Sequence, residues 1–337
     1  YLKSAAKYRN SEALFVLGYL YTQGTIVKQN FLKAEKFLTL ATYENNSDAY
    51  QLLGTMYFNG IGVERDIRKG FKYFEYAAQL MNSKSLLILG YLYSSGNTFI
   101  DIDIAKSIDC YLKCISNYDK KSLLFYNHYS PFTNFKTNLI YVSYNDLGLI
   151  YITVYEDVNN AIKYIKEAAF AEYPFGQNNY GLLIQFYFNK IENAKLMYEK
   201  SATHNFALAE FNLGHLYEMN NNIKKAIDYF KRSSEHEDEE LIFQGTSFSD
   251  DRIERSKIFI ICLTNLKLTL YYFLQDQFDE SKKYFIKSLS KLISYNEKYE
   301  FHRHAAIAHF PRVLICPNPP FGLMAKFKLI FTLYLKK

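Results

Sequence analysis

Tryptophan is absent from this chain of 337 residues, so bulky packing falls to its 32 Tyr and 28 Phe. Cysteine is scarce too: Cys110, Cys114, Cys262 and Cys316 show no paired disulfide framework. Cys110 and Cys114 stand four apart on an expected helix, where a bridge is geometrically poor. A reducing compartment is the simpler reading, and a cytoplasmic location is expected. No apolar run reaches the ~20 residues of a membrane-spanning helix. The nearest, Ile258 to Leu274, is broken by Asn265 and Lys267, so no transmembrane segment is expected. A strong excess of one charge is also missing. Forty Lys and Arg against 34 Asp and Glu leave +6, interspersed along the chain. Such a balance gives solubility and little pull on nucleic acid or acidic membranes, so no nucleic-acid partner is expected. The one dense cluster is acidic, Glu235 to Glu240.

Catalytic signatures are equally thin. Asn59-Gly60-Ile61-Gly62-Val63 looks like half a phosphate loop, but it follows a helix and lacks the later glycine or Lys-Thr. No Gly-x-Ser-x-Gly occurs. Asp101-x-Asp103 suggests a metal–nucleotide pair, yet Asp103 serves better as a helix cap. His302, His304, His309 and Cys316 are four potential metal ligands at a spacing that matches no familiar zinc knuckle. Asn45-Asn46-Ser47 is a glycosylation sequon, relevant only in a secreted protein. The reading is of no enzyme, no cofactor and no metal.

What is present is a period. Leu53-Gly54, Tyr57 and Gly60 recur upstream as Leu17-Gly18, Tyr21 and Gly24, and downstream as Leu89-Gly90, Tyr93 and Gly96, each 36 residues apart. A fixed period held by several columns marks a repeat array. Leu14, Leu17 and Tyr21 lie on one helical face with Gly18. A glycine inside a helix costs roughly 0.5–1 kcal/mol relative to alanine, so its recurrence needs close approach of a partner helix. Gly24, Gly60 and Gly96 stand where a left-handed residue ends the first helix. Asn30, Asp66 and Asp103 suit the N-cap of a second helix, which carries small residues and an aromatic, as in Gly70, Tyr73-Phe74 and Ala77-Ala78.

The expected organisation is six segments. Residues 1–114 hold repeats of 36 residues starting mid-repeat, since Ala5-Ala6 match Ala77-Ala78 at 72 residues. This start suggests a piece of a longer protein. Residues 115–140 are an insertion. Residues 141–234 hold shorter units, with Gly148, Gly181 and Gly214 spaced by 33 and second helices beginning near Ala161, Ala194 and Ala226. Residues 235–255 are an acidic and polar loop, 256–289 a degenerate helix pair with Thr269 in the glycine column, and 290–337 a non-repeat tail containing Pro317, Pro319 and Pro320.

Read from Leu53 to Ala78, the pattern L-G-x-x-Y-x-x-G-x-G-V-x-x-D-x-x-K-G-x-x-Y-F-x-x-A-A resembles the Sel-1-like repeat, a variant of the tetratricopeptide repeat. Phe37, Tyr73 and Tyr164 stand where that family often has Trp. The resemblance implies an all-α fold, an α/α right-handed superhelical solenoid of helix–turn–helix repeats. It implies a non-catalytic scaffold or adaptor that binds a protein or peptide partner in a concave groove lined by first helices. Some bacterial relatives bind β-lactams, but they carry a disulfide at every repeat, which this chain lacks. The groove positions expected are Glu12, Phe15, Tyr19 and Gln23; Asp48, Gln51, Thr55 and Asn59; Lys84, Tyr91 and Ser95; Asn145; Asn178 and Gln185; and Phe211, His215 and Glu218. Tyr19, Tyr91 and Phe15 would be aromatic anchors. The alternative is a regulatory repeat region of a larger protein whose catalytic domain, for example a kinase, lies upstream. An RNA-reading helical repeat is disfavoured by the Leu-Gly-x-x-Tyr signature and the mixed charges.

Overall fold

The computed structural model describes residues 2–96, 99–117, 139–235 and 251–299. They form fifteen helices and no β-strand among the described residues. The helices are α1 Leu2–Lys7, α2 Ser11–Gln23, α3 Phe31–Tyr43, α4 Ser47–Asn59, α5 Ile67–Gln79, α6 Ser83–Ser95, α7 Ile104–Ser116, α8 Leu139–Val154, α9 Val158–Phe170, α10 Pro174–Phe188, α11 Ile191–Ala202, α12 Ala207–Met219, α13 Ile223–Glu235, α14 Asp251–Leu274 and α15 Phe278–Tyr299. Even-numbered helices from α2 onward are the first helices of hairpins, and each packs against the helix that follows. The chain divides into two compact units at Tyr144/Asn145, within α8.

The helix ends follow from local chemistry. Asn30, Asp66 and Asp103 cap α3, α5 and α7, their side chains accepting from the amides of Lys33, Lys69 and Lys106 at 2.9, 2.9 and 3.0 Å. A second set of caps, not foreseen, opens the first helices. Asn10, Asn46 and Asn82 accept from Ala13, Ala49 and Ser85 at 2.8, 2.9 and 3.0 Å. Gly60 closes α4 at φ +74°, a conformation that a side chain would strain. The shorter hairpins start their second helices at Val158, Ile191 and Ile223, three residues ahead of the expected alanines. The last pair begins at Asp251 and runs to Tyr299, longer at both ends than 256–289.

The glycine column is where each hairpin closes. A Cβ built on Gly18, Gly54, Gly90, Gly148, Gly181 or Gly214 would lie 2.4–2.8 Å from Leu38, Phe74, Tyr111, Ile165, Tyr198 or Phe230 on the hairpin's own second helix. Those six side chains are all but fully buried. Beside this contact a ring pair recurs at 5.4–5.8 Å: Tyr21 on Phe37, Tyr57 on Tyr73, Tyr151 on Tyr164, Tyr217 on Tyr229 and Tyr272 on Tyr284. Stacked tyrosine and phenylalanine thus supply the bulk that the chain's missing tryptophan would give. Small donors fix the remaining contacts, as where Ser107 Oγ donates to Gly90 O at 2.6 Å and Ser281 Oγ to Thr269 O at 2.8 Å. The Cys114 thiol occupies the same kind of place, 3.4 Å from Ser83 O.

Within the first unit, hairpins stack through a continuous core of Leu14, Leu38, Ala49, Leu53, Met56 and neighbours. Asn82 Nδ2 reaches back to Asp48 Oδ1 at 2.9 Å and ties one first helix to the next. First helices crowd together: α2 touches α4 in the first unit, and α12 touches α14 in the second. Among the described residues no two second helices pack as closely.

Candidate protein-binding face

Residues 118–138 of the expected insertion at 115–140, most of the acidic loop, and the cluster of His302, His304, His309 and Cys316 lie outside the described residues. Asp103 is a helix cap, as its position suggested. Among the described residues no group of three or more His, Cys, Asp and Glu is placed to hold a metal, and no helix is long and apolar enough to cross a membrane. The expected groove positions lie on the first helices.

In the first unit this face starts with a charged row at the first turns. Glu12, Asp48 and Lys84 occupy one register on α2, α4 and α6. Partial burial and the neighbouring Asp48 raise the Glu12 carboxyl, against a hydrogen bond from Asn46. Burial lowers the Lys84 ammonium while Asp48 supports it. One turn on, Phe15 and Tyr19 sit with ring centroids 6.3 Å apart, both half-buried, and burial raises the Tyr19 phenol. Tyr91 is half-buried at the position of Tyr19 on α6. Gln23 is exposed. Gln51 and Thr55 are the departures. Thr55 is buried, its hydroxyl donating to Gln51 O at 3.1 Å and accepting from Gln51 Nε2 at 2.9 Å. This pair is closed on itself within α4.

In the second unit the expected groove residues divide more sharply. Asn145, Asn178 and Gln185 are buried and are not surface positions. The reason is a polar ladder between successive first helices. Asn179 Nδ2 donates to Asn145 Oδ1 at 2.9 Å, and Asn212 Nδ2 donates to Asn178 Oδ1 at 2.8 Å. Asn145 in turn donates to Asp146 at 3.2 Å, and Gln185 Oε1 accepts from the Tyr198 hydroxyl at 2.7 Å. Buried amides fully engaged in this way fix the register of one hairpin on the next.

Phe211, His215 and Glu218 are partly exposed and share a cluster with residues the sequence reading had not singled out. The Glu218 carboxylate accepts from His215 Nδ1 at 2.9 Å, from Lys267 Nζ and from the Tyr271 hydroxyl. Burial opposes its ionisation, but these three donors outweigh it and hold the carboxyl near 2. Burial and Glu218 together push the Tyr271 phenol far up. Lys267 Nζ also stands 6.0 Å from the Phe211 ring centroid. Beneath, Glu210 is fully buried on α12 and pairs with Arg232 Nη2 of α13 at 2.8 Å. The spacing of Asn145 to Asn178 and Asn179 to Asn212, 33 residues each, was the available signal for the ladder; nothing in spacing pointed to Lys267 or Arg232.

The surface so described offers aromatic edges, hydroxyls and a few charges, the composition of a protein-recognition face. The Sel1 repeat family matches residues 11–46, 47–80, 83–116 and 207–238, about two-fifths of the chain. No curated protein matches the chain. Among solved structures, a Sel1 repeat protein from Oxalobacter formigenes is similar at 24% identity and a TM-score of 0.54, over 68% of this chain and 89% of that one. The antigen c5321 of uropathogenic Escherichia coli, which displays the Sel1-like repeat fold, is similar at 20% identity and a TM-score of 0.57, over 88% of this chain and 64% of that one. These likenesses establish the fold, whose repeats generally serve as scaffolds for protein–protein contact. Four matched repeats, the glycine contacts that close each hairpin and the two structural neighbours agree: the chain carries four Sel1 repeats within an all-α solenoid of helical hairpins.

Proposed function

We propose that this protein is a non-catalytic scaffold that holds a segment of a partner protein against the inner, first-helix faces. The observation that carries the reading is the aromatic set Phe15, Tyr19 and Tyr91 on α2 and α6, each half-buried, with the charged row Glu12, Asp48 and Lys84 at one side. Rigid aromatics with polar neighbours are what binding hot spots are made of. In the second unit the corresponding contribution is Phe211 with His215, at the rim of the Glu218 cluster. Asn145, Asn178, Gln185 and Thr55 belong to the frame that positions these groups and make no direct contact with a partner.

The test is selection of peptides from a random library on the immobilised protein, followed by affinity measurements. Tyr19→Ala with Tyr91→Ala weakens the selected peptides by about 2 kcal/mol or more, the hot-spot range. Peptides whose affinity ignores that double variant would count against the inner face as the binding surface.

A further inference from the structure

The outer side of the first unit carries a charge distribution of its own. Helices α1, α3, α5 and α7 together hold nine Lys and Arg against three Asp and Glu, an excess of +6 that equals the net charge of the whole chain. Two of the three acids are turned inward. Glu35 accepts from the Tyr57 hydroxyl, and Glu75 accepts from the Tyr93 hydroxyl at 3.1 Å. The third, Asp109, pairs with Lys113 at 2.7 Å, and Lys106 pairs with the capping Asp103 at 3.1 Å. The exposed cations of α1, α3 and α5 are Lys7, Lys33, Lys36, Arg68, Lys69 and Lys72.

Their spacing is that of the repeat. Lys33 and Lys69 are 36 residues apart, as are Lys36 and Lys72, so two rows of lysine step from hairpin to hairpin. Lys33 and Lys69 are held in place over the Tyr21 and Tyr57 rings, at 5.5 and 3.7 Å from the centroids. Helices α3 and α5 both pack on α4, so each row passes from one hairpin to the next over a gap that a few residues of extended chain, at about 3.3 Å each, can span. Five of these six cations are lysines, point charges that suit single carboxylates, and one is the forked arginine that favours phosphate. The stepped rows favour a linear, repeating ligand over a diffuse charged sheet.

We propose that the exposed face of α1, α3 and α5 binds an extended acidic segment of a partner protein, with carboxylates spaced a few residues apart. This surface is separate from the inner face, and either stands without the other.

The test is fluorescence anisotropy of the whole protein with a labelled peptide of four Glu-Gly-Ser units. Parallel probes are its Lys-Gly-Ser counterpart, a single-stranded RNA of about twenty nucleotides, and phosphatidylserine vesicles. The acidic peptide binds at about 50 mM salt and releases near 300 mM. The variant Lys36→Glu/Arg68→Glu/Lys72→Glu, whose sites are all exposed, weakens it by about tenfold or more. Tyr19→Ala with Tyr91→Ala leaves it unchanged. Absence of binding at low salt, undiminished binding by the charge-reversed variant, equal binding of the lysine peptide, or tighter binding of RNA or vesicles would each overturn the proposal.

Discussion

Replacing Gly54 by alanine tests the closing contact of a hairpin directly. The new Cβ would lie 2.7 Å from the Cδ1 and Cε1 atoms of Phe74 and 3.2 Å from Gly70 O. Comfortable carbon contacts begin near 3.5 Å, so the ring must retreat by roughly 0.8 Å. Phe74 is fully buried, and α5 meets α4 again where Gly70 lies against Phe58 N, so neither ring nor helix has room to yield cheaply. Overpacking of this kind costs about 1–3 kcal/mol. Against it stands the helix preference of alanine over glycine, about 1 kcal/mol. The expected net is a loss of about 1–2 kcal/mol, seen as a fall of several degrees in the thermal midpoint followed by circular dichroism at 222 nm. Adding Phe74→Leu makes room and recovers part of the loss. A rise in the midpoint for Gly54→Ala alone would mean that helix propensity dominates and that the close approach is not what keeps glycine in the column.

Three further outcomes follow from buried polar groups. Glu218 has a folded-state carboxyl held near 2, below its ordinary 4.5, so the stability it contributes is present above the unfolded value and fades as pH falls towards 2. With its side chain 28% exposed, solvent screening reduces that contribution to about 1–2 kcal/mol. Glu218→Gln is therefore less stable than the parent at pH 7, and the gap closes in acid. Arg232→Met removes an ion-pair partner of the buried Glu210 and lowers stability, whereas Glu210→Leu with Arg232→Met restores part of the loss; calorimetry of the two variants checks this. Cys110 and Cys114 have thiols that burial pushes up to about 12 and about 11, so iodoacetamide mapped by mass spectrometry modifies neither at neutral pH until the protein is denatured.

The sequence was most readable where one residue type does one job. A glycine that must meet a large side chain, or an Asn or Asp that must cap a helix, recurs visibly, and Gly54, Asp66 and Asp103 behave as their spacing implied. Asn10, Asn46 and Asn82, equally periodic at 36 residues, cap the first helices in the same way. The binding face was harder to read. In the first unit Phe15, Tyr19 and Tyr91 are half-buried at the positions their register implies. In the second unit that register leads into a polar seam, because Asn145 and Asn178 bond to asparagines of the next hairpin. A polar residue on a helix looks the same in one sequence whether it faces solvent or another amide. Glu218 was chosen for its register, but its partners Lys267 and Tyr271 lie 49 and 53 residues away across an interruption of the repeat, beyond any local pattern.

Site-specific photo-crosslinking addresses the inner face as the place where a partner lies. Benzoylphenylalanine is placed at Tyr19, Tyr91 or Phe211, and, for contrast, at the exposed Tyr43 and Tyr76 of the second helices. With a library-selected peptide bound, covalent adducts form from the first three positions and not from the last two. Adducts confined to Tyr43 and Tyr76 would place the partner elsewhere and contradict the account.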